Sequence, residues 1–442
     1  MDAPLPTIAV LGASGLIGHV VAADLMRGDF PIVPVARRFT LAQKSAFAGV
    51  ALECPITALD AHGLAALLSD RQVDIVVNCL GILQDRAHAR IDDVHRGFVA
   101  RLVEALEIQL KPSLLVHLSI PGREGEDQTS FSRTKREAER LITSSSIPFV
   151  ILRPGFVVAP AAYGGSALIR ALAALPLDLP ERESDRPFAT TDVADITRTI
   201  ATVAQRWWVG ERHWDAVWDV MERHPSTVGG VVDAFRRWFG SPRPTVRLPS
   251  WLMEIGARAG DLSAYLGWRP PIRSTALREM RRGVAGDPEA WIAATGIEPT
   301  PLDGALARLP ATVQERWFAR LYLAKAMILG SLVAFWGVSG LIALTVAFDA
   351  ATAILTSNGF PVRLAQGITI SSSLSDIGVG IAIAVRRTCR VGLLAGIAVS
   401  LCYMIGAAVI APDLWIEPLG ALVKTGPAII LMGVALAVLE DR

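Results

Sequence analysis

Seven residues near the start of the chain, Gly12-Ala13-Ser14-Gly15-Leu16-Ile17-Gly18, have the types and spacing to hold a pyrophosphate. Such an anion sits on the free backbone N–H groups at a helix N-terminus, with glycines where a side chain would block it. The turn follows the apolar run Thr7 to Leu11 and leads into a helical run from His19 to Met26, the context this chemistry requires. Gly12, Ser14, Gly15, Leu16, Ile17 and Gly18 are therefore expected to bind a dinucleotide. The end of the next apolar run, Ile32 to Ala36, sets which one. An acid there would bind the ribose 2′-hydroxyl of NAD, whereas positive charge accommodates the 2′-phosphate of NADP. The chain has Arg37 and Arg38 and no acid, which favours NADP(H) over NAD(H).

The elements that must position this turn follow in order. Short β-rich runs at Val50 to Cys54, Ile75 to Cys79, Leu114 to Leu118 and Phe149 to Leu152 alternate with helical segments at Ala61 to Ser69, Ile91 to Ile108 and Ser132 to Ser144. Near-continuous apolar strands alternating with helices describe a parallel sheet covered on both faces. The expected fold is α/β, a doubly wound parallel Rossmann sheet over residues 1–204. Asp192, after Phe188-Ala189-Thr190-Thr191, reads as the cap of a helix running through residue 203. Residues 205–315, with eight tryptophans, read as a small helical cap or substrate region whose aromatics fill a core. His95 and His117 read as packed structural histidines.

Mean hydropathy is +0.41, too high for an ordinary soluble protein of 442 residues. The excess lies at one end. From Leu321 onward there are 7 Lys/Arg and 6 Asp/Glu in 122 residues, against 36 of each in the first 320. A net charge of +1 gives no basic face for nucleic acid, which is excluded as a partner. Cys54, Cys79, Cys389 and Cys402 have no zinc-ligand spacing, so no metal is expected and they read as free thiols in a reducing compartment. The opening residues lack the basic and apolar regions of a cleavable signal peptide, so the N-terminus is expected in the cytosol.

Four tail segments, Leu323 to Phe348, Leu364 to Val385, Val391 to Ile410 and Leu419 to Leu439, are each about long enough to span a hydrocarbon core of roughly 30 Å. Residues 316–442 are thus expected to be an all-α four-helix transmembrane bundle. Arg316 and Arg320 precede the first span and Arg386, Arg387 and Arg390 follow the second, whereas Asp413 and Glu417 follow the third. The basic loops stay cytoplasmic. With four crossings both termini are cytosolic, in a multi-pass protein of the cytoplasmic (inner) membrane. Asp376 is the one acid well inside a span. An intramembrane carboxylate suggests either function, as a proton relay or a quinone contact, or a neutral Asp bonded to the neighbouring serines.

The chain resembles two families. Over residues 7–200 the motifs Gly12 to Gly18, Asn78-Cys79-Leu80-Gly81, Ser119, Lys135 and Leu152-Arg153-Pro154-Gly155 resemble the atypical and extended short-chain dehydrogenase/reductases. The resemblance implies that Gly12, Gly15 and Gly18 face the phosphates, that Asn78, Cys79, Leu80 and Gly81 line the cofactor pocket, and that Pro154 and Gly155 border the nicotinamide. It implies catalytic roles for Ser119 and Lys135, with Lys135 also within reach of the nicotinamide ribose. The chain departs from the pattern at Phe131, which stands where the family's acid/base tyrosine would be; a phenyl ring has no proton to give. Pro55 likewise replaces an acid often found beside the adenine. The tail, through Asp376 and the stretch Leu414-Trp415-Ile416-Glu417-Pro418-Leu419 to Lys424, resembles the DoxX-like membrane proteins, and fusion of the two is a bacterial arrangement associated with redox chemistry.

The expectation is a membrane-anchored NADP(H)-binding oxidoreductase that acts on a lipophilic, quinone- or isoprenoid-like acceptor. Its rival is a non-catalytic NADPH-holding structural or assembly factor for a membrane redox complex, which Phe131 favours. Partners expected are the lipid bilayer and one of these lipophiles or complexes.

Overall fold

A computed structural model describes residues 5–83, 91–270, 272–416 and 420–439. Contacts divide the chain into two units, Met1–Ala259 with Pro271–Ala319, and Gly260–Pro270 with Arg320–Arg442.

The first unit is built on a seven-stranded parallel sheet. Its strands are β1 (Ile8–Leu11), β2 (Ile32–Ala36), β3 (Leu52–Glu53), β4 (Ile75–Asn78), β5 (Leu114–Leu118), β6 (Phe149–Pro154) and an edge strand, Asp215–Val220. Across the sheet the order is edge strand, β6, β5, β4, β1, β2, β3. β1 therefore lies between β2 and β4, with Leu11 in register with Val35 and Asn78. Chain order reverses there, and in such sheets the ligand crevice lies beyond the carboxyl ends of the strands at this point.

Both faces are covered, which is why the strands are apolar throughout. In β1, Ile8 and Val10 belong to one buried cluster with Ile196, Ile200 and Trp207, whereas Ala9 and Leu11 belong to the other with Leu64, Phe98 and Leu102. Successive side chains point to opposite faces, so a strand buried on both must be apolar at every position. The helices α1 (Leu16–Arg27), α2 (Leu41–Ala46), α3 (Ala61–Asp70), α4 (Phe98–Glu107) and α5 (Ser130–Thr143) follow the successive strands. Their starts are fixed locally: Asp60 Oδ1 accepts from Gly63 N–H at 2.8 Å and Thr129 Oγ1 from Ser132 N–H at 3.1 Å. Asp192 caps the helix Val193–Trp208 as expected, accepting from Ala194 N–H at 2.9 Å.

Residues 205–315 do more than cover the sheet, because they supply the edge strand. Trp207, Trp214, Trp218 and Trp291 are buried in the main core, whereas Trp251 is exposed. A separate cluster joins the helices Gly165–Ala174, Val228–Phe239 and Leu302–Ala307.

The second unit is helical. Among the described residues three helices are long and apolar enough to cross a membrane: Val313–Leu344, Val362–Ala384 and Cys389–Ile410. The expected fourth span is shorter than its apolar run. Ala421–Ala437 has 17 residues with Pro427 inside, about 26 Å at ~1.5 Å per residue, at the lower limit for crossing. Glu417, Pro418 and Leu419 lie outside the described residues, as does Pro271. A further helix not expected from sequence, Phe348–Ser357, lies between the first and second long helices. Within this unit Trp268 Nε1 donates to the Ala384 carbonyl at 2.6 Å and Arg386 N–H to the Leu266 carbonyl at 2.9 Å, so the stretch 260–270 is tied to the end of the second long helix.

Candidate functional site

The glycine turn closes directly on the end of β1. Gly12 has φ +85°, a conformation that favours glycine. Gly18 lies in the first turn of α1, where a Cβ would come within 2.4 Å of the Gly12 carbonyl oxygen. The helix can seat this closely on the strand end only without a side chain there. Gly15 precedes α1 and no side chain caps the helix, so its first N–H groups remain available to an anion. Gln43 Nε2 donates to the Ser14 carbonyl at 3.2 Å, which ties the start of α2 to the turn. Arg37 and Arg38 are exposed in the link between β2 and α2. Glu53, at the end of β3, accepts from Phe39 N–H at 2.8 Å and pairs with Lys44 at 2.9 Å. These bonds, then the Lys44 and Arg38 charges, hold its carboxyl below its ordinary value against slight desolvation.

Across the crevice, the residues at the end of β4 are fixed by their own side chains. Asn78 is buried; its amide nitrogen lies 3.1 Å from His117 Nδ1 and its oxygen accepts from Leu80 N–H at 3.1 Å. Asn78 thus shapes the Asn78–Gly81 turn with both ends of its side chain spent. Its amide can only donate, so His117 Nδ1 accepts and the proton sits on Nε2, which is buried without a partner among the described residues. Burial holds His117 well below its ordinary value, reinforced by the Lys135 charge, so the ring is neutral. His95 is likewise packed: Nε2 accepts from Ile82 N–H at 3.1 Å and Nδ1 lies 2.9 Å from Thr134 Oγ1. Desolvation, then Lys135, pushes it down to about 2.

Lys135 is the decisive side chain. It is 5% exposed, and Nζ donates to the Leu118 carbonyl at 2.7 Å and to the Leu80 carbonyl at 3.3 Å. The ammonium ties the ends of β4 and β5 together, leaving one of its three donors for anything else. Desolvation pushes it down to about 8, against the raising effect of Cys79 and Glu139, while desolvation pushes the Cys79 thiol up to about 12. Phe131, one turn before Lys135 on α5, packs edge-to-face on His95 with ring centres 5.6 Å apart. Ser119, at the end of β5, is held by its N–H to the Leu152 carbonyl at 2.8 Å, and its buried hydroxyl reaches the Glu139 carboxylate. Pro154 is buried at the end of β6, and Gly155 N–H donates to Thr191 Oγ1 at 2.8 Å.

Behind the site lies a buried ion network that sequence reading missed. Glu139, 3% exposed, accepts from Arg153 Nε and Arg136 Nη1, both at 2.8 Å. Arg136 also bonds Asp127 at 3.0 Å, and Arg282 reaches Asp127 at 2.9 Å. Only Arg136 and Glu139, three apart on α5, were visible as a pair in the sequence.

In the helical unit Asp376 accepts from Tyr403 Oη at 2.7 Å. Its partner is thus a phenol on the next helix rather than the neighbouring serines, because the hydroxyls of Ser371, Ser372 and Ser375 donate to carbonyls of their own helix. Among the described residues no cluster of three or more His, Cys, Asp or Glu could hold a metal.

Strand order, switch point and uncapped glycine turn define a nucleotide-binding Rossmann domain, joined here to a helical membrane domain. Comparison with known families gives the same two parts. Residues 8–175 match the NAD dependent epimerase/dehydratase family and residues 333–433 match the DoxX-like family. Over these stretches the chain is similar to an NAD dependent epimerase/dehydratase domain followed by a DoxX-like domain. It is similar to the dTDP-6-deoxy-L-talose 4-dehydrogenase (NAD(P)(+)) of Kitasatospora kifunensis, with 25% identity over 268 residues, 55% of this chain and 82% of the relative. Among solved structures it is similar to the UDP-glucose 4-epimerase of Thermotoga maritima with UDP-glucose, at TM-score 0.51 and 14% identity over 72% of this chain and 99% of that one. A human epimerase family protein with NADPH matches at TM-score 0.50 and 16% identity, over 69% and 98% of the two chains. At such identities the structures establish the fold.

Proposed function

We propose that this chain is a membrane-anchored, NADP(H)-binding oxidoreductase that passes hydride to a lipophilic, quinone- or isoprenoid-like acceptor. The observation that carries the reading is the uncapped glycine turn with Arg37 and Arg38 exposed beyond β2, in one chain with apolar helices. Gly12, Gly15, Gly18 and the first N–H groups of α1 would hold the pyrophosphate, and the two guanidinium groups the 2′-phosphate. When bound, the nicotinamide supplies the hydride. The chain's own part is to hold the dinucleotide and the acceptor close together; with Phe131 in the tyrosine position, the acceptor takes its proton from water.

A second reading, a non-catalytic holder of NADPH, is favoured by one specific observation: Phe131 offers no proton, and the Lys135 ammonium is committed to two main-chain carbonyls. A bound dinucleotide would then stabilise the fold, by about 2.7 kcal/mol at a hundred times its Kd.

Both readings predict that the purified full chain in detergent binds NADPH. Replacing Arg37 and Arg38 by alanine is expected to weaken NADPH about tenfold or more, the worth of a lost charged hydrogen bond, while NADH changes little. Equal loss for both would refute the 2′-phosphate assignment. Following NADPH absorbance with short-chain quinones separates the readings: turnover supports the oxidoreductase, and tight binding without turnover supports the holder.

We place the chain in the cytoplasmic membrane with both termini cytosolic, because Arg386, Arg387 and Arg390 crowd the link after the second long helix. An alkaline phosphatase fused after Arg442 is expected to be inactive. An active fusion would mean that the 17-residue last helix does not cross.

A further inference from the structure

Asp376 lies about 21 Å from the start and about 12 Å from the end of the helix Val362–Ala384, at ~1.5 Å per residue. That depth lies within the hydrocarbon, where an ionisable group is expensive to keep. The helix packing determines its surroundings. Gly340 of the first long helix lies so close that a Cβ there would come 2.9 Å from Asp376 Cβ and 2.6 Å from the Ser373 carbonyl oxygen. Tyr403, on the third long helix, closes the other side through its 2.7 Å bond to Asp376 Oδ1, with the Ser372 carbonyl at 3.3 Å from the same hydroxyl. Asp376 Oδ2 has no hydrogen-bond partner among the described residues.

Two independent features surround the pair. A groove of about 270 Å³ opens beside it, lined by Ser371, Ser372, Ser375, Ala398, Cys402 and Tyr403 among others; Asp376 lies outside that lining and meets the groove through Tyr403. The three serine hydroxyls donate to their own helix, so each keeps lone pairs for an incoming donor. One helical turn before Asp376 and Tyr403 respectively, Ser373 and Ser400 are each 1% exposed, and their hydroxyls have no partner among the described residues. Buried polar atoms are nearly always paired, so both hydroxyls are unusual, but neither serine lines the groove. A simple staple between two helices would need only the 2.7 Å bond, and would leave the serine-lined groove without a role.

We propose that Asp376 and Tyr403 form the polar end of an intramembrane binding site, which admits through the serine-lined groove a lipophilic molecule bearing a hydroxyl group. The groove is smaller than most pockets that enclose a whole small ligand, so it takes a head portion and leaves an apolar tail in the bilayer.

The test uses the full chain in lipid nanodiscs and three photoactivatable probes of equal length carrying a diazirine: a long-chain alcohol, the matching ketone, and the alkane. The alcohol is expected to label peptides containing Ser371 to Asp376 or Ala398 to Tyr403, above the ketone and the alkane. Asp376→Asn and Tyr403→Phe should each lower that labelling about fivefold, as expected for a lost hydrogen bond. Tyr403→Phe keeps the ring and serves as the folded variant, checked by its melting curve, should Asp376→Asn fail to assemble. Equal labelling by all three probes, or labelling unchanged by either folded variant, would overturn the site and leave the pair a helix-to-helix staple.

Discussion

Glu139→Ala is expected to destabilise the N-terminal unit by about 3–5 kcal/mol, the cost of breaking a buried ion pair from one side, or roughly 6–20 °C in melting temperature. The carboxylate bonds both Arg136 and Arg153, and Arg136 keeps Asp127 when Glu139 is removed whereas Arg153 loses both of its bonds to the carboxylate. The effect carries a pH signature. Burial raises the Glu139 carboxyl, but hydrogen bonds from Arg153 and Ser119 and then the charges of Arg153 and Arg136 outweigh it and hold the group below its ordinary 4.5. Its contribution is therefore complete above that value and is lost as the pH falls through the lower folded-state value. In the variant the acid limb of the melting profile should be shallower. A loss below 1 kcal/mol, or an unchanged acid limb, would show that the network is solvated in solution. Replacing Arg153 together with Glu139 should recover part of the loss, because it removes the uncompensated charge.

The second large effect concerns the turn itself. Gly18→Ala should lower dinucleotide affinity at least tenfold, about 1.4 kcal/mol or more. The new Cβ would meet the Gly12 carbonyl oxygen at 2.4 Å, and both partners are backbone, so α1 must withdraw from the end of β1. Withdrawal moves the free N–H groups away from the phosphates they would bind. Alanine is otherwise the better helix former by about 1 kcal/mol, so propensity alone predicts a more stable protein. Titration of the purified chain with NADPH decides between the two. Gly28→Ala is the control: it lies at the other end of α1, where the nearest atom to a new Cβ is 3.5 Å away. Wild-type affinity in Gly18→Ala would remove the close approach as the reason for glycine there.

The parts of the fold that follow from neighbours along the chain were readable in the sequence. Continuous apolar runs located β1, β2, β4, β5 and β6, because strands buried on both faces have no polar side to show. The edge strand Asp215–Val220 escaped notice for the same reason. Only one flank pairs, Asp215 and Val217 remain exposed, and the run Asp-Ala-Val-Trp-Asp-Val carries no continuous apolar signal. The short helix Phe348–Ser357 was hidden by a helix ending inside an apolar stretch, which hydropathy does not resolve.

The candidate site divides along the same line. By itself the sequence determined the glycine turn, the basic pair after β2, the absence of a phenol at residue 131, and an apolar tail with a single deep acid. Each is a matter of residue type, or of spacing within one or two turns of chain. The tertiary structure alone decided what the polar groups do. Lys135 spends its ammonium on carbonyls 17 and 55 residues away, Asp127 meets an arginine 155 residues on, and Asp376 finds its phenol 27 residues later on another helix. A side chain's charge is written in its identity, but its partner is chosen by which elements pack against it, and that choice exists only once the strands and helices are in place.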